Sequence, residues 1–389
     1  MTAHSKINMS SVFLILLLPF FFLSCGENTA PTGSENSRDD GSLVDGDWLI
    51  PKSQVIDGGP GKDGIASIDN PSNFSNVSEI DFIPDDRMIT GVQIEGQIRA
   101  YPHQILDWHE IVNDKLEDTY FSLSYCPLTG TGMAWDRKLG GEVNEFGVSG
   151  LLFRNNLILY DRNTDSYWSQ MQLRAVNGSF IERDIDTYQV VETSWETWKD
   201  LYPESDVLNA NFGGITRAYF DGWAYGEEYL TSHGAINFPL YNFDNRLRNK
   251  IRVHGIIDME PGVSHGAVKV YVIDGRNVEE SEQYGEFGEG VNLIRDQVGR
   301  NEYLIAGSTN HNFSTSFMIT DSEDELYFEA VQDQLPVIMK DNEGTYWDLF
   351  GNGVEGPRQG NRLQAARAYA GYWFAFAEFF PDVNIYVYK

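Results

Sequence analysis

A pattern of aromatic residues, glycines and prolines occurs twice in this 389-residue chain, in the same order and at nearly the same spacing. Tyr167–Ser169 corresponds to Tyr346–Asp348, and Tyr202–Glu204 corresponds to Phe380–Asp382. The offset between matching residues is 178 or 179 throughout. Because self-similarity at a fixed period indicates repeated structural units, we expect a fold built from two related halves.

Each half carries the signals of a strand-rich unit closed by a helix. Met88–Val92 and Gln97–Tyr101 flank Glu95-Gly96, which predicts a β-hairpin. Thr193–Glu196 has capping-box spacing and predicts a short helix, and its counterpart over Arg362–Phe379 is apolar nearly all round, which predicts a buried helix. The predicted fold class is therefore α+β and strand-rich, with two related β-rich repeats, each closed by a helix.

The same signals divide the chain into five segments. Residues 1–24 are predicted to be a lipoprotein signal peptide, and residues 25–47 a flexible acidic tether. Repeat one, which contains a candidate Cys/His site, is predicted over 48–210. A degenerate repeat two is predicted over 248–389, with residues 211–247 as the connector.

The N-terminal sequence predicts export and a lipid anchor. Val12–Leu23 is an almost unbroken apolar run, shorter than the ~20 residues that cross a bilayer, and it is typical of a signal peptide. Phe22–Gly26 resembles the bacterial lipobox, in which Cys25 would be lipidated and become the new N-terminus. Because Gly26 rather than aspartate follows, the outer membrane is the favoured location. We therefore expect the membrane to be a partner through the lipid on Cys25.

The charge balance excludes some partners. The chain has 28 basic and 58 acidic residues, a formal net charge of −30. Such a surface repels nucleic acid phosphates and anionic headgroups, so no nucleic acid partner is expected. An envelope protein or a small-molecule ligand remains compatible with the composition.

Cys126 is the only thiol left if Cys25 carries lipid, so it cannot form an internal disulfide. Along residues 120–126 a strand would place Cys126 on the same face as Ser122 and Ser124. The small residues Thr129–Gly132 predict a turn whose backbone N–H groups could receive an anion or lower the pKa of a thiol.

His109 is the predicted neighbour of this thiol. If Pro102–Val112 is a helix, His109 lies on its inward face, and His103, Asp107 and Glu110 lie on the opposite face. The inward imidazole would then point toward the next element of the chain, which is the strand that ends at the thiol.

A pair formed by Cys126 and His109 would have two chemical uses. The residues could act as a catalytic nucleophile and its base, or as two ligands of a soft, copper-type metal ion. The alternative is structural: a lone cysteine is often buried, and an inward histidine is often bonded to backbone.

Several motifs together resemble those of a bacterial family known as domain of unknown function 3179. The resemblance covers essentially everything after the tether. It implies an exported or membrane-associated bacterial protein, but it implies no reaction and no catalytic residue. The motifs are Arg99–Pro102, Ile105–Asp114, Tyr125–Gly130, Phe146–Gly150, Asn156–Arg162, Tyr167–Gln170 and Tyr372–Ala377 followed by Phe380-Pro381.

Two functional hypotheses follow. The first is a cell-envelope lipoprotein that binds or assembles with a partner, without catalysis. The second is a thiol-centred enzyme or a soft-metal site that uses Cys126 and His109. The sequence alone does not decide whether the chain is an enzyme.

Overall fold

A computed structural model of the protein describes residues 47–209, 224–231, 234–258, 266–273, 284, 287–320, 323 and 325–388. These residues all fall within one compact unit, Leu43–Lys389. Strands predominate and the helices are few and short, so the α+β, strand-rich class is confirmed. The signal peptide, Cys25 and nearly all of the tether lie outside the described residues. None of the described helices is long and apolar enough to cross a membrane.

The N-terminal part of the chain, to residue 209, contains most of the helices and strands, together with 3₁₀ turns at Lys52–Gln54 and Val77–Glu79. In chain order they are β1 (Val55–Asp57), β2 (Ile68–Asp69), β3 (Phe74–Asn76), β4 (Met88–Ile94), β5 (Gln97–Pro102), α1 (His103–His109), β6 (Ile111–Leu116), β7 (Thr119–Cys126), β8 (Thr131–Asp136), β9 (Lys138–Leu139), β10 (Glu142–Val143), β11 (Phe146–Phe153), β12 (Asn156–Asp161), β13 (Tyr167–Ser169), β14 (Arg174–Asn177), β15 (Thr187–Tyr188), β16 (Val190–Ser194), α2 (Trp195–Leu201) and β17 (Asp206–Leu208).

The C-terminal part continues with two helices and the remaining strands. In chain order they are α3 (Glu227–Thr231), β18 (Arg252–Asp258), β19 (Ala267–Val272), β20 (Asn292–Val298), β21 (Asn301–Ser308), β22 (Phe313–Ile319), β23 (Phe328–Ala330), β24 (Val337–Asp341), β25 (Tyr346–Asp348), β26 (Gly353–Glu355), β27 (Gln364–Ala365), β28 (Ala368–Tyr372), α4 (Trp373–Phe379) and β29 (Asn384–Ile385).

Among the described residues, the N-terminal part forms three five-stranded sheets and the two-stranded sheet β10-β9, and the C-terminal part forms three four-stranded sheets. In the N-terminal part, sheet 1 has the order β16-β4-β5-β17-β3, sheet 2 the order β15-β8-β7-β6-β2 and sheet 3 the order β1-β11-β12-β13-β14. In the C-terminal part, sheet 4 has the order β28-β18-β19-β29, sheet 5 the order β20-β21-β22-β27 and sheet 6 the order β23-β24-β25-β26. Sheet 2 lies between the other two N-terminal sheets, since its residues pack into two separate cores.

Two predicted local structures are confirmed. The β4–β5 hairpin turns at Glu95 and Gly96, both with positive φ, as a tight two-residue turn requires. Helix α2 begins after Ser194, whose side chain accepts a hydrogen bond from the Thr197 N–H.

The helix predicted over Arg362–Phe379 is wrong in its first half. Ala368–Tyr372 is strand β28, which pairs with β18, and only Trp373–Phe379 is helical. The physical reason is that a segment with apolar residues at nearly every position shows neither the helical nor the strand periodicity of hydrophobic residues. A buried strand and a buried helix then have the same sequence pattern.

Helices α2 and α4 each pack in a core that also contains residues of the other part of the chain. Trp198 of α2 shares a core with Trp347, and Trp373 of α4 shares a core with Trp168. The two parts therefore bury apolar surface against each other rather than folding around separate cores.

Candidate functional site

Cys126 ends β7 and is almost completely buried. Its Sγ lies 3.8 Å from the Asn155 carbonyl oxygen, to which the thiol donates. Burial first, and then the nearby Glu110 carboxyl, raise the pKa of the thiol to about 11. At neutral pH the sulfur is therefore a thiol rather than the nucleophilic thiolate.

The turn after Cys126 uses its own backbone donors. The N–H groups of Thr129 and Gly130 both donate to the Cys126 carbonyl oxygen, at 3.3 and 2.8 Å. The expectation that this turn holds free N–H groups for an anion is therefore not met at these two positions, because the donors close the turn instead.

His109 ends α1, and its Nδ1 lies 2.8 Å from the Ala66 carbonyl oxygen. Burial lowers the pKa of the imidazole. The described interactions of Cys126 include those with Asn155, Thr129 and Glu110, and His109 is not among them. Within the described residues no group of three or more His, Cys, Asp and Glu side chains could hold a metal ion. The arrangement gives no support to a Cys126–His109 pair or to a copper-type ion between them.

The predicted outward face of α1 is wrong. His103, Asp107 and Glu110 are all buried, and Trp108 is the most exposed residue of α1. The reason is that α1 is short and covered on more than one side: it contacts β4, β5 and β7, and the Asp107 carboxylate accepts a hydrogen bond from the Ala224 N–H. A helical-wheel argument assumes one solvent face, and this helix has none.

The polar face of α1 forms part of a cluster, here called the acid–tyrosine cluster, of Asp107, Glu110, Tyr125, Tyr225 and Tyr372. Glu110 follows α1 in a left-handed conformation, and its carbonyl oxygen accepts from the Tyr125 N–H at 2.7 Å. Tyr372 ends β28 in the C-terminal part, and its backbone N–H donates to Thr129 at 2.8 Å. The two parts of the chain therefore meet at this cluster.

The carboxyls of the cluster have raised pKa values. Burial, and then the Asp107 carboxyl, raise the pKa of Glu110 to about 8. Burial raises the pKa of Asp107 to about 6, although the hydrogen bond from Ala224 opposes the shift. Burial also raises the pKa of Tyr372, to about 12. Glu110 is therefore mostly a neutral acid at pH 7 in the absence of a counter-charge.

The polar groups of the cluster are poorly satisfied within the protein. Among the described residues, the Glu110 carboxyl and the hydroxyls of Tyr125, Tyr225 and Tyr372 find no hydrogen-bond or ion-pair partner. Three of these side chains are more than nine-tenths buried. Polar groups on buried side chains usually bond to other protein groups or to water, so these four groups are open to a partner from outside the protein.

A second group of charged side chains borders the cluster. Glu192 of β16 pairs with Arg252 of β18 at 2.8 Å, and the His103 Nε2 lies 3.8 Å from Glu192 and 2.8 Å from the Thr90 hydroxyl. Burial raises the pKa of Glu192 to about 7, and burial with Arg252 lowers the pKa of His103 to about 3. A Cβ at Gly132 would lie 2.4 Å from Glu192 Oε1, so a larger residue there would displace this carboxylate.

Lys250 shows how tyrosine rings here hold a cation. Its Nζ lies 3.0 Å from the centroid of the Tyr229 ring and 5.9 Å from that of Tyr372. Burial lowers the pKa of Lys250 to about 8. The Tyr229 hydroxyl donates to the Leu128 carbonyl oxygen at 2.6 Å, which fixes the ring beside the turn after Cys126.

A family model described as "Protein of unknown function (DUF3179)" matches residues 62–383. The chain belongs to this family. The resemblance predicted from the motifs is thus confirmed, and the acid–tyrosine cluster lies wholly inside the matched range of the DUF3179 chain. No curated protein and no solved structure matches the chain.

Sequence reasoning about the DUF3179 chain located the turn after Cys126 but missed the residues around it. Glu192, Arg252 and Tyr372 are separated from Cys126 by 66, 126 and 246 positions, so no local spacing connects them. The available signal was the family's closing motif, which begins at Tyr372. Its first residue packs on the Tyr125–Gly130 motif: a Cβ at Gly130 would lie 3.0 Å from the Tyr372 ring.

Proposed function

We propose that this DUF3179 chain is an exported, lipid-anchored protein of the bacterial envelope that binds a small polar ligand at the acid–tyrosine cluster. The leader, the lipobox around Cys25 and the tether support the location. The cluster supports binding, because α1 and two strand ends position Asp107, Glu110, Tyr125 and Tyr372, while the Glu110 carboxyl and the tyrosine hydroxyls have no partner among the described residues.

The single observation that carries the proposal is that the Glu110 carboxyl and the hydroxyls of Tyr125, Tyr225 and Tyr372 have no partner among the described residues, although the side chains of Glu110, Tyr125 and Tyr372 are buried. A bound polar molecule would supply these groups with hydrogen-bond partners, and ligand sites typically present a few polar groups of this kind.

The thiol-centred alternative has weaker support. The raised pKa of Cys126 favours the thiol, and its hydrogen bond leads to a backbone carbonyl. In this proposal the Cys126 side chain lines the site close to Glu110 and forms no covalent bond with the ligand. A copper-type cofactor is likewise not part of the proposal.

We also propose that the two parts of the chain are the repeats predicted from the sequence. In support, β16-β4-β5-β17 in sheet 1 has the same arrangement as β28-β18-β19-β29 in sheet 4, including the parallel pairs β17–β5 and β29–β19. The indole N–H groups of Trp168 and Trp347 donate to Asp161 and Asp341 at 3.1 and 2.9 Å.

Under this alignment Cys126 and Ser308 are equivalent, since they end β7 and β21. Ser308 also donates to a backbone carbonyl, that of Glu289, at 2.7 Å. A small polar residue at this position thus suits both halves, which favours a structural role for the thiol.

Ligand binding is tested on the full-length protein purified from its own envelope membranes. The protein is unfolded, and the released small molecules are identified by mass spectrometry. We expect a compound that is present with the wild type and absent with the double variant Glu110→Gln, Tyr372→Phe, but retained by the control Tyr271→Phe, whose hydroxyl bonds to Asp296 in the second half. Identical profiles for wild type and double variant, or no released compound, would overturn the proposal.

The lipid anchor has a separate test. The variant Cys25→Ser cannot be acylated at this position, so we expect it to appear in the soluble fraction of the envelope, while the wild type stays with the membranes. A wild-type protein that is soluble, or a variant that remains in the membrane fraction after a salt wash, would contradict the proposed anchoring.

A further inference from the structure

The acid–tyrosine cluster contains two buried carboxyls but no cation to balance them. Among the described residues, Asp107 and Glu110 form no ion pair, and the one hydrogen bond to either carboxyl comes from the Ala224 N–H. Two described cations nearby bond to other groups: Arg252 pairs with Glu192, and the Lys250 ammonium, which keeps its charge, donates to the Tyr229 carbonyl oxygen. Buried carboxylates are otherwise paired with a cation or kept neutral by a proton.

The aromatic rings of the cluster are suited to a cation. Tyr225 of the cluster lies beside Tyr229, with ring centroids 5.8 Å apart at 45°, and the Lys250 Nζ is 5.9 Å from the centroid of the Tyr372 ring. The Lys250 ammonium already lies over the face of Tyr229. An ammonium group is attracted to such faces by the ring quadrupole, most strongly where water is excluded.

A metal ion fits the same place less well. The described residues offer no group of three or more His, Cys, Asp and Glu side chains with the geometry of a metal site. Two carboxyls and several tyrosine rings are instead the recognition chemistry of an organic ammonium ion.

Building on the proposed function, we propose that the acid–tyrosine cluster binds a small organic cation that carries an ammonium group. Glu110 and Asp107 supply the negative charge, and the rings of Tyr225 and Tyr372 contact the alkyl part or the face of the cation. The ligand of this envelope protein is therefore an amine rather than a sugar, an anion or a metal ion.

Binding changes the protonation of Glu110. Without ligand its carboxyl holds a proton, because the described groups that face it are Asp107, Cys126 and Tyr225, and none of these three is a cation. When the ammonium ion binds, the Glu110 O–H bond breaks, the carboxylate pairs with the ammonium group, and one proton leaves to solvent. No electron is transferred and no other bond changes.

The test is titration calorimetry of the full-length protein at pH 7, in phosphate and in Tris buffer, with methylammonium chloride and tetramethylammonium chloride as probes. Because the two buffers differ in their heat of ionisation, the difference between the observed heats reports the protons released. We expect binding with release of close to one proton. Glu110→Gln should weaken binding about tenfold or more and abolish the proton release.

The matched control is Glu378→Gln. Glu378 is also fully buried, and its carboxylate accepts from the Tyr241 and Asn242 N–H groups away from the cluster. We expect this variant to bind both probes as the wild type does, with the same proton release.

The possible failures are distinguishable. If neither ammonium probe binds but glycerol or acetate binds at a site that is lost in Glu110→Gln, the ligand is not a cation, while a polar-ligand site remains. If Glu110→Gln only stabilises the protein and wild type and variant bind the probes equally, the acid is structural and the inference is wrong. If no probe binds and no compound is released from the native protein, the proposed function itself fails.

Discussion

Glu110 is the residue on which the site depends. It occupies the left-handed region, with φ of 56°, directly after α1, and this backbone turn directs its carboxyl inward rather than along the helix to solvent. A buried carboxyl beside Asp107 is costly when ionised, so its environment favours the proton over the charge. The sequence gives no such signal, because a Glu at a helix end is usually solvated.

We predict that the free energy of unfolding falls as pH rises through neutrality. The folded pKa of Glu110, about 8, lies above the ordinary value of 4.5, so the folded state binds the proton more tightly. This stabilisation is fully present below the unfolded pKa and is lost as pH rises through the folded pKa. Asp107, with a pKa of about 6, and Glu192, with about 7, act in the same direction.

The measurement is urea unfolding of wild type and Glu110→Gln between about pH 5 and 9. The variant should show a shallower decline, because its amide does not titrate. Parallel curves for the two proteins above pH 7, where the buried histidines no longer contribute to the slope, would show that Glu110 is not a buried acid.

We predict that Cys126 reacts slowly with alkylating reagents in the folded protein at pH 7. Burial limits access, and the raised pKa of about 11 leaves little thiolate. Alkylation followed by mass spectrometry should show a rate far below that of the same protein in denaturant, which serves as the control. Rapid modification of the folded protein would restore the thiol-centred hypothesis.

At the scale of elements, two glycines set the packing of the helices on the hairpins. A Cβ at Gly91 would lie 1.9 Å from the Trp198 ring, and one at Gly255 would lie 2.1 Å from the Phe376 ring. Each hairpin strand thus approaches an aromatic side chain of α2 or α4 closely enough that only glycine fits.

We predict that Gly91→Ala and Gly255→Ala each destabilise the protein by about 1–3 kcal/mol through overpacking. Gly234→Ala is the matched control, because a Cβ there meets no atom within 4 Å, and its effect should be small. Denaturant unfolding measures all three. If the two buried substitutions cost no more than the control, the described contacts of α2 and α4 would be wrong.

Local chemistry explains which elements could be predicted. The β4–β5 turn and the start of α2 depend on residues next to each other, Glu95-Gly96 and Ser194, so the sequence contains the information. The split of 362–379 into strands and α4 depends on pairing with β18, more than 100 residues earlier. The buried polar face of α1 depends likewise on Ala224, which no local pattern connects to Asp107.

At the scale of the whole molecule, the two parts of the chain are interdependent. The core that holds Trp198 of α2 includes Phe317 and Trp347, and the core that holds Phe376 of α4 includes Trp135 and Trp168. The acid–tyrosine cluster lies where the parts meet, since Tyr372 and Glu110 come from different parts.

We predict that residues 47–389 unfold in a single transition, because neither part can keep its helix buried without the other. Differential scanning calorimetry should give one peak whose calorimetric and van't Hoff enthalpies agree. Substituting Ala for Trp373 should lower the midpoint of the whole transition. Two peaks, only one of which moves in the variant, would show that the halves are separate folding units.

A ligand within the acid–tyrosine cluster is the central proposal, and a high-resolution structure of the protein purified from its native host tests it directly. We predict non-protein density in contact with the Glu110 carboxyl and bordered by the rings of Tyr225 and Tyr372. Density that shows these side chains closed onto one another by mutual hydrogen bonds, with no room for a bound molecule, would contradict the account.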